Sequence, residues 1–381
     1  MIWVLLISAA ILGWTWVGYP VAAWLSAQLR ARPVTARPRL FRGVTVIVVA
    51  RDEEDYLRAK LASLRRGGIP RERLEILVVD DGSVDDTAAV AAAAGARTVV
   101  LANAGGKARA LDSAARRAKH DLLIFTDARQ PIEEGALASL VEPFADPSVG
   151  AVAGEISGAA TGAGAIYRRL DDALRRWESA SGSSVGVAGA LWACRKNLYP
   201  RVPRGILLDD LYAPLMVVRA GRRVVIAPQA RVVERVEATT PEVERRRRIR
   251  TLAGNFQLIA RAPWLLVPFV NPLFYRFVSH KVSRLLGPLA LAAATVAIGV
   301  LAARGGVYAV LAVLTALAYL AAAAGARLGL AGRLARSFVS AQGLVVLGLY
   351  HALRGSTPWR PPVAGAPRAV ELGAAEVSHG L

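Results

Sequence analysis

The sequence predicts an α/β protein: a doubly wound, mostly parallel sheet with apolar helices before and after it. Three observations predict this. Short runs of branched apolar residues alternate with helical patterns from Val44 to Ala153, the pattern of strands crossing over through helices. Three of those runs stop abruptly at acids: Asp52, Asp80 with Asp81, and Asp127. Four long stretches outside this region carry no Asp, Glu, Lys or Arg.

The first such stretch is residues 1–29. About 20 apolar residues cross a bilayer, so it is long enough to span. It lacks the basic start and short apolar run of a cleaved leader, and Trp3, Trp14, Trp16 and Trp24 suit a retained span with interfacial aromatics. Residues 30–43 are a basic linker with Arg30, Arg32, Arg37, Arg39 and Arg42, broken by Pro33 and Pro38. Arginines at this end place it in the cytoplasm. Net charge is +19, from 48 basic and 29 acidic residues. Such a surplus fits either nucleic acid or the cytoplasmic flanks of membrane spans, and the apolar runs decide for the membrane. No nucleic-acid partner is expected. The single cysteine, Cys194, rules out an intramolecular disulfide and a cysteine-based zinc cluster, and reads as a small buried residue.

Residues 44–261 form the expected cytoplasmic domain. VTVIVVA is a buried strand ending in Arg51-Asp52-Glu53-Glu54, followed by a helix with Leu57, Leu61 and Leu64 on one face. LEILVVDDGS is the second strand, and Ser83 and Asp86 fit the N-cap and N3 positions of a helix starting there. A short strand, Thr98 to Leu101, leads to the glycine turn Asn103-Ala104-Gly105-Gly106-Lys107 and another helix. Asp121 to Phe125 is a strand ending Thr126-Asp127-Ala128-Arg129, and Val149 to Ala153 is one more. In open sheets of this kind ligands sit at the carboxyl ends of the strands. One acid there is ordinary, because strands often end in Asp-Gly to turn. Three acids on one edge make a site.

Beyond this come a polar helix (Gly164 to Ser183), a small-residue segment (Gly186 to Arg195), and a second acidic step at Asp209-Asp210 before a helix. Asp210 reads either as a reactive carboxylate or as an acid complementing a helix start. A strand over Arg223 to Ala227 follows. Five of the six residues 245–250 are arginine, which reads as contact with anionic lipid. Residues 262–284 mix aromatics with Arg276, His280, Lys281 and Arg284 and are expected to lie in the membrane interface. Residues 285–353 hold two spans and a third segment that is a span or a re-entrant helix; residues 354–381 read as a flexible tail.

Taken in order, VTVIVVARDEE, LEILVVDDGS, NAGGKARAL, LLIFTDAR, ILLDD and RRIRTLAGN resemble the inverting family 2 glycosyltransferases of GT-A fold. The membrane-bound branch, with cellulose synthase and hyaluronan synthase, is the nearest likeness. It covers roughly residues 44 to 257 and the spans around them.

The resemblance implies a nucleotide-sugar donor, UDP-linked, whose uridine is held by Asp52, Asp80 and Asp81, with Lys107 near the nucleotide. Asp127 matches the first acid of the DxD motif, which binds the diphosphate and a divalent cation, Mg²⁺ or Mn²⁺. Arg129 stands at the motif's second acid. Asp210 matches the catalytic base of the ED motif, with Asp209 in place of Glu. Arg250 matches the arginine of QxxRW, with Arg247 at the glutamine and Thr251 at the tryptophan, so processive synthesis is not implied. Glu53, beside Asp52, belongs to the same edge.

The function expected is transfer of a sugar to a lipid-linked or glycan acceptor at the plasma membrane, in cell-envelope or exopolysaccharide synthesis. Membrane lipids are expected partners. Two alternatives stand beside it: a polyprenyl-phosphate sugar synthase, and a non-catalytic membrane scaffold of the same fold.

Overall fold

The computed structural model describes residues 1–35, 42–101, 105–158, 163–203, 205–234 and 241–355. Arg37, Pro38 and Arg39 of the linker, Asn103 and Ala104 of the glycine turn, and the tail from residue 356 lie outside the described residues.

Seven strands form one sheet: β1 (Val44–Ala50), β2 (Leu74–Asp80), β3 (Arg97–Val100), β4 (Leu122–Asp127), β5 (Val149–Ser157), β6 (Leu191–Arg195) and β7 (Arg223–Val233). Their spatial order is β3-β2-β1-β4-β6-β5-β7. All pairs are parallel except those of β6, which runs antiparallel between β4 and β5. Period-two alternation assigns β1 to both faces. Val46 and Val48 pack on one side with Leu57, Leu61 and Leu64 of helix α2 (Glu54–Arg65). Ile47 packs on the other with Leu111 and Ala114 of α4 (Lys107–Arg117) and with Phe125 and Trp192. Between them, α3 (Thr87–Ala93) follows β2. Each fully buried leucine of this kind contributes about 1.5–3 kcal/mol.

The helix after β2 starts later than the sequence reading has it. It begins at Thr87, and Ser83 is not its cap. Asp86 stands at the N-cap position without a side-chain cap, and the Asp85 carboxylate before it accepts from the Thr87 N–H (3.0 Å) and hydroxyl (2.5 Å). Ser83 is instead recruited by Asp80, as described below.

Helix α5 (Ala136–Val141) backs the sheet, and α6 (Ala163–Ala180), α7 (Asp209–Arg219) and α8 (Pro241–Arg261) complete the domain. Three helical stretches are long and apolar enough to cross a membrane: α1 (Ile2–Leu29), α9 (Phe274–Ala302), and residues Val307–Leu353. The last is a hairpin of α10 (Val307–Ala324) and α11 (Gly329–Leu353), with Arg336 of α11 reaching back to the Ala322 carbonyl at 3.1 Å. The 25 residues of α11 extend roughly 37 Å at the standard rise, enough to cross a bilayer core of about 30 Å.

The expected interfacial region over 262–284 does not form a helix of its own. Residues 274–284 are the first turns of α9, passing through a wider π-type turn at Val278–Val282. Arg276, His280 and Arg284 all bond to protein, Arg276 through the Ser183 carbonyl (2.6 Å). His280, 1% exposed, sits between Glu178 (Nδ1–Oε1 2.8 Å) and Asp171 (Nε2–Oδ1 3.1 Å) of α6. Arg284 donates to Asp171 (2.7 Å), and the Tyr19 hydroxyl of α1 donates to Glu178 (2.5 Å). Burial alone would raise Asp171, but the bond from His280 and the charge of Arg175 outweigh it and hold it well below the usual carboxylate range. This polar knot ties α1, α6 and α9 together.

Candidate functional site

Register builds the site. β1 lies between β2 and β4, with Ala50 opposite Asp80 and Val49 opposite Asp127. The acids at the three strand ends therefore share one edge.

At the β1–β2 end, loop N–H groups and one serine hold the carboxylates. Asp80, 3% exposed, accepts from the Ser83 N–H (2.9 Å) and hydroxyl (2.5 Å). Ser83 Oγ accepts from the Asp52 N–H (3.0 Å), and Asp52 Oδ1 accepts from the Val84 N–H (2.9 Å). This mesh holds Asp52 at φ 53°, a left-handed conformation that aspartate tolerates better than most residues. Asp81 accepts from the Gly105 N–H (2.7 Å) with one oxygen and the Gly106 N–H (2.9 Å) with the other. The sequence reading gives Asp81 to a nucleoside; in the structure its first task is to hold the loop that carries Lys107. Each of its oxygens keeps a further lone pair.

At the β4 end, charges face charges. Lys107 Nζ lies 3.0 Å from Asp127 Oδ1, with the two side chains 40% and 42% exposed on the floor of a cleft. Partial burial would lower Lys107, but Asp127, Asp209 and Asp210 outweigh it and raise it. Burial would raise Asp127, and Lys107, followed by Lys60 and Arg247, holds it low instead. Asp210, in the first turn of α7, is pushed up to about 6 by burial and by Asp209, against the pull of Lys107. It lies against Gly189, where a Cβ would fall 2.4 Å from Asp210 Oδ2, so only glycine leaves the carboxylate its place. Phe125, Trp192 and Tyr199 stack beneath, with ring centroids 4.4 and 4.9 Å from Phe125.

Arg129 is turned away from this group. Its Nε–H bonds both oxygens of Glu53 (2.7 and 2.9 Å), and its guanidinium lies 5.5 Å from the Tyr56 ring centroid. Burial nevertheless leaves Glu53 above the ordinary carboxylate range. Arg250 of α8 joins Lys107 and Asp209 in lining a cleft of about 660 Å³. Arg247 pairs with Glu234 at 3.8 Å. Arg245 and Arg246 pair with Glu242 and Arg248 with Glu244, exposed pairs one helical turn apart and each worth little. Cys194 is buried in β6, as expected.

The reading from sequence missed Lys60. It is wholly buried, and its ammonium donates to Thr126 Oγ1 (2.6 Å) and the Gln130 carbonyl (2.5 Å). Burial lowers it to about 7, against the attraction of Asp127. Thr126 in turn donates to the Ala190 carbonyl (2.7 Å), next to Gly189. Lys60 thus pins the turn bearing Asp127 and, through Thr126, the segment against Asp210. The signal was present: Lys60 shares the helix face of Leu57, Leu61 and Leu64, where a charge has no business with solvent.

Among the described residues no three His, Cys, Asp or Glu side chains converge on a position that could hold a metal ion. Asp127 is a single carboxylate at its end of the edge.

The model of the family "Glycosyl transferase family 2" matches residues 45–199. The N-acetylglucosaminyltransferase of Rhizobium meliloti (strain 1021) is 26% identical over 293 residues, 70% of this chain and 66% of that protein. The poly-beta-1,6-N-acetyl-D-glucosamine synthase of Staphylococcus aureus (strain MSSA476) is 26% identical over 166 residues, 41% of this chain and 40% of that one. The chain thus spans two thirds or less of these relatives. A mannosyltransferase of Pyrobaculum calidifontis, solved with GDP-Man and Mn²⁺, matches with a TM-score of 0.70 at 25% identity, over 92% of this chain and 99% of that one.

Proposed function

We infer, from the premise that the chain is a family 2 glycosyltransferase of GT-A fold, that it inverts the anomeric carbon of a nucleotide sugar, UDP-linked, and hands the sugar to a lipid-linked or glycan acceptor at the cytoplasmic face of the plasma membrane. The observation that carries this reading is Asp210, a carboxylate raised to about 6 beside the Lys107–Asp127 pair. A base poised near the working pH is what direct displacement needs. The acceptor oxygen attacks the anomeric carbon, its proton passes to Asp210, and the bond to the diphosphate breaks with the electron pair leaving on the nucleotide. Lys107 and Arg250 neutralise the charge that builds on the leaving diphosphate. Asp52, Asp80 and Asp81 form the nucleoside end.

Asp127 would hold a divalent cation jointly with the donor's phosphates, as Mg²⁺ is commonly held by one or two carboxylates plus phosphate oxygens. A bound cation would add positive charge at the diphosphate. Relatives named for N-acetylglucosamine transfer and polymer synthesis support a role in polysaccharide assembly, and a match solved with GDP-Man keeps mannose in view.

The test is nucleotide release in purified membranes from UDP-N-acetylglucosamine, UDP-glucose and GDP-mannose, with and without chelator. Asp210→Asn keeps shape but cannot take the proton, so kcat should fall about 10²–10⁴-fold with nucleotide affinity retained. Equal turnover by variant and wild type would reduce Asp210 to a helix-start acid. The cytoplasmic placement is checked with an impermeant thiol reagent on an engineered surface cysteine, and labelling from outside intact cells would overturn it. Cys194 gives no background, being buried with its thiol pushed up.

A further inference from the structure

The 660 Å³ cleft extends well past the Lys107–Asp127 pair. Along one wall, the exposed face of α4 carries Arg109, Asp112 and Arg116, which recur at helical spacing. Nine residues of helix separate Lys107 from Arg116, roughly 13 Å at the standard rise, beyond the reach of a donor diphosphate seated at Lys107. The other wall is Arg201, Val202 and Pro203 with Gly205, Ile206 and Leu207.

That wall is fastened to α8: the Leu207 N–H donates to Gln257 Oε1 (3.0 Å), and Gln257 Nε2 donates to the Gly205 carbonyl (2.8 Å). Helix α8 in turn packs on the apolar helix α11, where Gly348 meets Leu252. The two walls are joined at Asp112, whose carboxylate accepts from the Val202 N–H (3.2 Å). Five cations line the cleft, Lys107, Arg109, Arg116, Arg201 and Arg250, against two acids, Asp112 and Asp209. Among the described residues, Arg109, Arg116 and Arg201 have no carboxylate within ion-pair distance.

We propose that this arm of the cleft binds the phosphate of a phosphate-bearing acceptor, seating it on Arg109, Arg116 and Arg201 while the acceptor's hydroxyl lies at Asp210. This rests on the glycosyltransferase reading above and adds the acceptor's chemistry to it. Guanidinium groups on two facing walls suit a phosphate, which takes several charge-assisted hydrogen bonds at once. A neutral glycan would leave these cations without a function. Because one wall is anchored through α8 to a membrane helix, the phosphate of a lipid carrier is one source and a water-soluble sugar phosphate the other.

The experiment measures binding to full-length protein in phosphatidylcholine nanodiscs free of detergent, saturated with UDP so that the donor end is filled. The probes are N-acetylglucosamine 1-phosphate, a polyprenyl diphosphate-linked N-acetylglucosamine in phosphatidylcholine vesicles, and neutral N,N′-diacetylchitobiose. Phosphate-bearing probes should bind. Arg116→Gln and Arg201→Gln should each weaken them about tenfold, and the double variant about a hundredfold, with UDP affinity and melting temperature reporting an intact fold. Binding of the vesicle probe alone assigns the phosphate to a lipid; binding of both assigns it to phosphate chemistry in general. If neither phosphate probe binds, if both variants bind them as wild type does, or if the neutral disaccharide binds as tightly, the proposal fails. A protein that binds these probes but releases nucleotide from no donor would retain this site while the glycosyltransfer reading fell.

Discussion

At the β1–β2 end of the sheet edge, acids are neutralised by hydrogen bonds from loop N–H groups and a serine; at the β4 end, they are neutralised by ammonium groups or left facing one another. Asp81 has a loop N–H on each oxygen, whereas Asp127 has Lys107 and Asp210 has Asp209. The first arrangement fixes geometry. The second leaves charge that a bound phosphate or a proton would alter. The difference teaches that a row of similar carboxylates on one edge can divide its labour according to what donates to each, with no change in residue type.

That contrast can be broken from the reactive end first. With Asp210 raised to about 6, it is protonated and idle below that pH, so kcat/KM should lose about tenfold per pH unit on the acid side. A profile flat down to pH 5 would assign the proton elsewhere. Gly189→Ala places a methyl group against the Asp210 carboxylate and should cost about 10²-fold in kcat, the scale of an ångström's misplacement, while UDP affinity by calorimetry holds.

At the geometric end the signature reverses. Asp81→Ala leaves the Gly105 and Gly106 N–H groups without their acceptor, and donor affinity should drop ten- to a hundredfold or so while kcat at saturating donor moves less. A pure kcat effect would erase the distinction between the two ends.

The smallest effect is expected at Lys60, which pins the turn behind Asp127. Lys60→Met removes a buried cation that, among the described residues, has no carboxylate partner in bonding distance, so stability near neutral pH should hold or rise, while turnover falls by under about one order of magnitude as the Thr126–Gln130 turn loosens. An unfolded lysine titrates near 10.4 and this one near 7, so the unfolded chain binds more protons between those values. Wild type should therefore gain stability relative to the variant as pH rises from about 7, measured by denaturant midpoints. Parallel curves would mean that Lys60 titrates normally.

Much of this was legible in the sequence, because apolar runs ending in acids register both the strand and its functional end. The runs at Val44, Leu74 and Leu122 became β1, β2 and β4 with their acids aligned. The antiparallel strand was not legible: LWACR lies in what reads as a small-residue segment, and its small residues hide a strand that runs backwards between β4 and β5. The start of α3 was missed because Ser83 and Asp85 compete for nearby N–H groups, and Asp80 draws the serine away. His280 and Arg284 read as interfacial since their acidic partners lie about a hundred residues upstream, a pairing that periodicity cannot see. Lys60 needed a different question, namely which charge sits inside an apolar stripe.

The knot of Tyr19, Glu178, His280, Asp171 and Arg284 bears on how the protein can be produced. A fragment trimmed to its sheet domain, residues 42–261, would shed Tyr19, His280 and Arg284 yet keep Glu178 and Asp171. Orphaning one half of a buried ionic pair costs about 3–5 kcal/mol, a large share of the 5–15 kcal/mol or so by which a typical domain is stable. Trimming would also uncover the face that α9 protects. Asp171 keeps Arg175 of its own helix (3.6 Å), so soluble expression of the domain calls for Glu178→Gln along with polar replacements on that face, and without them the trimmed fragment should collect in inclusion bodies.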